Sequence, residues 1–466
     1  MMKFIDIFFT IAGILGMIFI VGACLHTMVK IFEKRKFFSL ILFFSILSLF
    51  FIPITVKVIT IIAGFVLISN ALFYDYFMLN FLFHKKAKDK STFSLFPEVS
   101  IIIPAKNESH VIKETLISLS QINYPKSRLN IIVIDDNSTD GTYEVASSMN
   151  HLENLQIIRN EESYGKSKAI NTILKTIETE YTLILDADHL VEKNYIRKVL
   201  LNFEDPKVAC VQTVNTVRNG NTNILSRLVQ MEYLSRYEVL YAGREMALFM
   251  GSGGIFRTSV LKNLGGFDGK MLTEDLEISY RIYEAGYKIV LDDSIATHEL
   301  ATIDIKNYYK QRHRWFRGIW QSYRLHFLKM LNTKMPVKNK LFFLHVILEY
   351  FALLSYLYTI VLYSLDTLKI ITFDAKYLVY IETVTIAIAL SISFIKTKKF
   401  NLFLFLPLIV IYYIFYSLPN LLALIDNWIL KSEKNWVKTE RTQSDNTGIS
   451  YPVFVPTNYK ESVPLD

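Results

Sequence analysis

Three short apolar runs, each stopping abruptly at carboxylates or turn residues, constrain this chain more than any other feature. The first is Ser100-Ile101-Ile102-Ile103, followed by Pro104-Ala105-Lys106-Asn107-Glu108. The second, Ile131 to Ile134, ends in Asp135-Asp136-Asn137-Ser138-Thr139-Asp140-Gly141-Thr142, and the third, Leu183 to Leu185, ends in Asp186-Ala187-Asp188. An unbroken run of Ile, Val and Leu reads as a strand buried on both faces of a parallel sheet. In such sheets ligands sit beyond the carboxyl ends of the strands. The polar residues that close the runs are therefore the first candidates for chemistry.

Outside this region the chain is apolar. Of its 466 residues 52% are hydrophobic, and the excess lies at the two ends. Phe4 to Val29 is long enough to span a bilayer. It is too long for a signal-peptide core and lacks a small-residue cleavage site. Phe37 to Phe83 has room for two more spans. The basic loops Lys30 to Lys36 and His84 to Lys90 belong on the cytoplasmic side by the positive-inside rule. The expectation is an integral, multi-pass protein of the cell membrane with an external N-terminus and a cytoplasmic central domain. Leu341 to Leu365 and Tyr377 to Ile395 read as further spans. Phe400 to Leu430, interrupted by Pro407 and Pro419, is either one bent span or a re-entrant hairpin. The net charge of +8 sits beside these segments, which points to lipid contact and away from nucleic acid. Cys24 and Cys210 fall in a span and in the central domain, so both are expected as free thiols.

This divides the chain into a transmembrane region over 1–90, an α/β domain over 91–302, an amphipathic helix over 303–335, a second transmembrane region over 336–430 and a polar tail over 431–466. Within Ile305 to Lys329, Trp and Tyr recur near helical spacing with Lys and Arg between them. That pattern suits a membrane surface. The alternative is a helix packed on the domain.

The motifs have different weights. Asp186-Ala187-Asp188 can bring two carboxylates to one divalent ion and the phosphates it bridges, although Asp-x-Asp alone is common in turns. Asp136 is placed to accept from a base edge, whereas Asp140 reads better as a helix cap. Lys166 and Lys168 open a helix, where cations oppose the helix dipole and need an anionic partner. A diphosphate would serve. The glycine spacing of a P-loop is absent. Asp275 in Thr273-Glu274-Asp275 is either a general base toward a hydroxyl or a cap on the helix Leu276 to Ala285. Arg314 in Gln311-Arg312-His313-Arg314-Trp315 can neutralise a departing phosphate, and Trp315 offers a flat face to a sugar. The plain alternative is interfacial anchoring by both.

Together and in this order, the motifs resemble the membrane-embedded family 2 glycosyltransferases: the cellulose, chitin, hyaluronan and poly-N-acetylglucosamine synthases. The likeness covers residues 97 to 330 and the flanking spans. It implies a GT-A catalytic domain, the Rossmann-like nucleotide-diphospho-sugar transferase fold, flanked by transmembrane helices. It implies an inverting transfer from a nucleotide sugar, UDP-GlcNAc or UDP-Glc, to build and move a β-linked polysaccharide, with Mg²⁺ or Mn²⁺ as cofactor. Pro104, Ala105, Lys106, Glu108, Asp136, Lys166, Lys168, Asn171, Asp186, Gln311 and Arg314 would hold the donor. Asp188 and Asp186, with His298 as a further candidate, would hold the metal. Asp275, Glu274 and Arg314 would be catalytic, and Trp315, Gly253 and Glu274 would meet the glycan or lipid acceptor. Gln311, Arg314 and Trp315 match Gln-x-x-Arg-Trp, the mark of the processive branch. Two readings compete: transfer of one sugar to a lipid, and a non-enzymatic channel or scaffold. The family's Glu-x-Pro is Glu299-Leu300-Ala301 here. Trp436-Val437-Lys438-Thr439-x-Arg441 resembles the gating loop of cellulose synthases.

Overall fold

The structure, a computed structural model, describes residues 2–33, 53–83, 96–242, 246–333 and 335–428. The middle span expected within Phe37 to Phe83 and the stretch around Trp436 lie outside these residues. Elements are numbered among the described residues.

The central domain is built on an eight-stranded mixed sheet of order β3-β2-β1-β4-β7-β6-β8-β5. Its strands are β1 (Val99–Ala105), β2 (Leu129–Asp135), β3 (Leu155–Arg159), β4 (Tyr181–Ile184), β5 (Leu190–Val191), β6 (Val208–Val217), β7 (Gly254–Arg257) and β8 (Lys288–Glu299). β1, β2, β3 and β4 are mutually parallel. The apolar runs alternate between two cores, as a pleated strand must. Ile102 packs with Ile170 and Ile173 on one face, and Ile101 and Ile103 pack with Leu116 and Leu119 on the other. Both faces are covered, which is why Ile101 to Ile103, Ile131 to Ile134 and Leu183 to Leu185 are unbroken apolar runs.

Topology then gathers the strand ends. Ala105 pairs with Asp135, so Lys106 and Asp136 leave the sheet side by side. Ile184 pairs with Ile102, which places Asp186 and Asp188 beyond the same edge. β7 runs antiparallel to β4, with Ile184 opposite Gly254, so the loop before β7 begins where β4 stops. β6 is antiparallel to β7 and parallel to β8, and β8 therefore delivers Glu299 to that edge as well.

The helices of the first half are α1 (Met2–Glu33), α2 (Pro53–Phe83), α3 (Ile112–Ser120), α4 (Thr142–Ser147), α5 (Lys166–Leu174), α6 (Tyr195–Leu200) and α7 (Ile224–Ala242). Those of the second half are α8 (Thr258–Asn263), α9 (Glu274–Glu284), α10 (Ile305–Asn332), α11 (Val337–Thr367), α12 (Tyr377–Lys396) and α13 (Ile409–Trp428). Five segments among the described residues are long and apolar enough to cross a membrane: Ile5–Leu25, Ile54–Leu79, Asn339–Thr367, Tyr377–Lys396 and Phe400–Trp428. In the last, a 3-10 stretch Phe400–Leu408 containing Pro407 leads directly into α13. Proline removes a backbone donor and crowds the preceding turn, which accounts for the tighter winding there. α11 packs on α1, α2 and α13, and α2 also packs on α7 and α12.

α10, the basic aromatic helix, lies between α9 and α13. Its Trp320 is 1% exposed and donates from Nε1 to Asn420 Oδ1 at 2.9 Å. That aromatic residue is spent on helix packing. Leu325 and Leu328 remain exposed on the same helix.

Candidate functional site

A cleft of about 340 Å³ opens at the gathered strand ends, roofed by α10. Pro104, Ala105, Lys106, Glu108, Asp136, Asp186 and Asp188 line it from the sheet side. Lys166, Glu274, Asp275, Gln311, Arg314 and Trp315 close it from the helices. Residues from six separate stretches of the sequence thus share one space.

Lys166 is at its centre. Its Nζ sits 2.7 Å from Asp186 Oδ1 and 3.5 Å from Glu274 Oε1, and donates to the Gly251 carbonyl at 2.9 Å. Burial alone would lower the ammonium pKa, but the charges of Asp186 and Glu274 outweigh it and hold the group above its ordinary range. The anion that a cation at a helix start requires is supplied here by the protein itself. Gly251 has φ +85, and a Cβ there would stand 3.2 Å from Asp275 Oδ2. The positive φ and the close carboxylate both favour glycine.

Asp275 occupies the second position of α9, after the N-cap Thr273, and its Oδ1 accepts from Leu276 N at 2.8 Å. Burial and the adjacent Glu274 charge push its carboxyl up to about 7, against the opposing pull of Lys166 and Arg314. Its neighbours on α10 are held by close packing. A Cβ on Gly318 would lie 2.4 Å from Thr273 Cγ2, so only glycine lets the two elements approach. Gln321 bonds Leu272 N and the Lys270 carbonyl. Arg314 Nη1 reaches the Leu272 carbonyl at 3.4 Å, while its buried Nε has no partner. Burial lowers the Arg314 pKa against the charges of Glu274, Asp275 and Asp186.

Asp136 is 3% exposed. Its carboxylate accepts from Asn160 Nδ2, Ser163 Oγ, Tyr164 N and Gly165 N at 2.7–2.9 Å. Burial would raise its pKa, but these bonds lower it. A carboxylate has about four acceptor positions, and all are engaged in fixing the loop before α5. Contact with a base edge would have to share or displace one of them. Asp140 behaves as a local cap, accepting from Thr142 N at 3.1 Å and from Ser109 N at 3.0 Å.

Four residues expected at the site are placed elsewhere. Lys168 is exposed, with Nζ 4.2 Å from the Tyr164 ring centroid. Asn171 donates to the Phe267 carbonyl at 2.6 Å and accepts from Phe267 N at 2.8 Å, so it clamps the loop that leads to α9. Gly253 is buried beneath the cleft floor, and its carbonyl accepts from Tyr195 OH at 2.5 Å. His298 meets Thr216 Oγ1 at 2.6 Å and Glu192 at 3.7 Å.

Sequence reasoning missed His189. Its ring and the carboxylates of Asp186 and Asp188 offer ligand atoms within 4.8 Å of one another. His189 Nδ1 is buried without a hydrogen-bond partner. Two carboxylates and an orphaned imidazole nitrogen fit a divalent cation. The available signal was the position of His189 directly after the Asp-x-Asp. Also missed was Arg312, which is 1% exposed. It pairs with Glu232 at 2.8 Å and stacks over Trp315 at 4.2 Å. Its partner lies 80 residues away in sequence.

A mixed sheet that gathers carboxylates at one edge, with a helix roofing the cleft, defines a GT-A-like glycosyltransferase fold. Residues 97–318 match the family model "Glycosyltransferase like family 2", so the chain carries a family 2 glycosyltransferase domain. It is 28% identical over 374 residues to "Probable glycosyltransferase YdaM" of Bacillus subtilis, covering 76% of this chain and 89% of that one. It is 26% identical over 339 residues to the "Poly-beta-1,6-N-acetyl-D-glucosamine synthase" of Staphylococcus epidermidis, covering 72% and 80% respectively. Among solved structures, the mannosyltransferase PcManGT of Pyrobaculum calidifontis, in complex with GDP-Man and Mn²⁺, superposes with a TM-score of 0.54 at 20% identity. That match covers 78% of this chain and 98% of that one.

Proposed function

We propose that the enzyme transfers sugar from a UDP-linked donor, UDP-GlcNAc or UDP-Glc, to the hydroxyl of a growing glycan. The transfer inverts the anomeric carbon and builds a β-linked polysaccharide. The observation that carries this reading is the meeting of Asp275, Arg314 and Trp315 in the cleft that also holds Asp186 and Asp188. Asp275 takes the proton from the acceptor hydroxyl, and a carboxyl brought up to about 7 suits a base working near neutrality. Arg314 turns its unpartnered Nε to the charge on the leaving nucleotide. A divalent cation bound by Asp186 and Asp188 would neutralise further diphosphate charge. Lys166 pairs with both Asp186 and Glu274 and its charge opposes the rise in the Asp275 pKa. Trp315, backed by Arg312, is the platform for the acceptor ring.

The relatives named as poly-β-1,6-N-acetylglucosamine synthases support a polymer product. So does the far wall of the cleft, where Tyr233, Arg236, Tyr350 and Tyr416 come from α7, α11 and α13. Tyr350 and Tyr416 stand on candidate spans, so a lengthening chain would leave toward the membrane helices. The basic loops at Lys30–Lys36 and His84–Lys90 support a cytoplasmic catalytic domain. A cysteine placed at position 140 should then resist an impermeant reagent applied from outside.

The test is incubation of membranes with a panel of radiolabelled UDP- and GDP-sugars, followed by sizing of the product. A long product from a UDP-sugar is expected. One sugar on a lipid would remove the polymerase reading and leave the glycosyltransferase.

A further inference from the structure

His189 has a two-sided setting. It is 2% exposed. On one side Nδ1 is buried without a partner. On the other, Nε2 faces Glu299 Oε2 at 3.7 Å. The turn that carries it is tightened by a bond from His189 N to the Asp186 carbonyl at 3.1 Å, which turns three side chains toward one point. Glu299 arrives there because β5, which starts just after His189, runs antiparallel to β8. Glu299 is also the glutamate of the Glu-x-Pro pattern, from which this chain departs at Ala301.

We propose that His189 is a nitrogen ligand of the cation held by Asp186 and Asp188, that Glu299 orients its ring, and that this set selects Mn²⁺ over Mg²⁺. The inference rests on the metal-dependent reading above. A ligating histidine nearly always directs its second nitrogen to a carboxylate, carbonyl or water, which fixes the tautomer. With the proton on Nε2, toward Glu299, the Nδ1 lone pair is left for the metal. An orphaned buried nitrogen is costly unless something fills its coordination. Mg²⁺ prefers oxygen ligands and gives up its waters reluctantly, whereas Mn²⁺, which also suits carboxylates, is softer and admits an imidazole nitrogen more readily. A nitrogen in the set therefore penalises Mg²⁺ more than Mn²⁺. His298, the alternative offered by sequence, has Nδ1 engaged by Thr216 and stands outside the group of ligand atoms that Asp186, Asp188 and His189 bring together.

The experiment uses the full-length protein in detergent micelles with Mn²⁺ and UDP, read by electron spin echo modulation. Wild type should show modulation from a directly bound ¹⁴N, and His189→Gln should lose it. Glu299→Gln should keep the modulation but bind Mn²⁺ about 10–100-fold more weakly, as outer-shell changes do. His189→Asp should lower the ratio of Mn²⁺- to Mg²⁺-supported transfer. Bound Mn²⁺ without nitrogen modulation in the wild type overturns this inference alone. Failure of the wild type to bind Mn²⁺ at all overturns the metal-dependent reading with it.

Discussion

Asp275→Asn should make the protein more heat-stable above neutral pH while it stops transfer. The carboxyl stands at about 7 in the folded protein because burial and Glu274 oppose its charge. In the unfolded chain an aspartate returns to about 3.9. Between these values the folded protein keeps a proton that the unfolded chain has released. Stability therefore falls as pH rises from about 4 through 7, and the full cost is present above that range. A displacement of about three pH units, at about 1.4 kcal/mol each, puts the cost on the order of 4 kcal/mol. Water in the cleft screens part of it, so this is an upper bound. Asparagine keeps the shape and removes the charge. The assay is the thermal midpoint of purified wild type and Asp275→Asn at pH 5 and pH 8. The variant should melt higher at pH 8, with the gap closing at pH 5. A gap independent of pH, or a variant that melts lower at pH 8, would refute the argument. Wild-type turnover should correspondingly fall below about pH 7, and Glu274→Gln should move that limb to lower pH.

Gly318→Ala forces a Cβ to within 2.4 Å of Thr273. It should cost about 1–3 kcal/mol of stability and lower kcat more than it raises KM, because Asp275 and Arg314 flank that contact. Asp136→Ala releases four donors. Calorimetric titration should show UDP affinity falling about tenfold or more, about 1.4 kcal/mol, whereas unchanged affinity would separate this loop from the donor. Trp315→Ala should leave UDP affinity within about twofold and shorten the product, since an aromatic platform contributes about 1 kcal/mol. If Trp315→Phe and Trp315→Leu behave alike, Trp315 is an anchor and not a platform.

The fold class was legible because burial on both faces leaves a continuous mark. Ile101 to Ile103 and Ile131 to Ile134 cannot be exposed strands, and the residues that end them must lie at one edge. Asp186, Asp188, Asp275, Arg314 and Trp315 could be proposed from their motifs, and all line one cleft. Side-chain partners were another matter. Asn171 stands among plausible donor contacts in sequence, yet its amide is consumed by Phe267, 96 residues away. Gly251 and Gly253 look interchangeable, but only backbone geometry decides that Gly251 faces Asp275. His189 and His298 differ in what lies opposite, and that depends on the pairing of β5 with β8. The aromatic spacing of α10 suits a membrane surface. It also serves the packing of Trp320 on Asn420, and of Phe316 against Tyr350 and Tyr416. Periodicity marks an apolar face and does not say whether lipid or protein covers it.

The most direct measurement of the central claim compares purified wild type and Asp275→Asn with radiolabelled UDP-GlcNAc or UDP-Glc, following UDP affinity and labelled polymer in the same preparations. The account predicts matching UDP affinities, a polymer made by the wild type and none made by the variant. Polymer formation by Asp275→Asn at a rate near that of the wild type would contradict it.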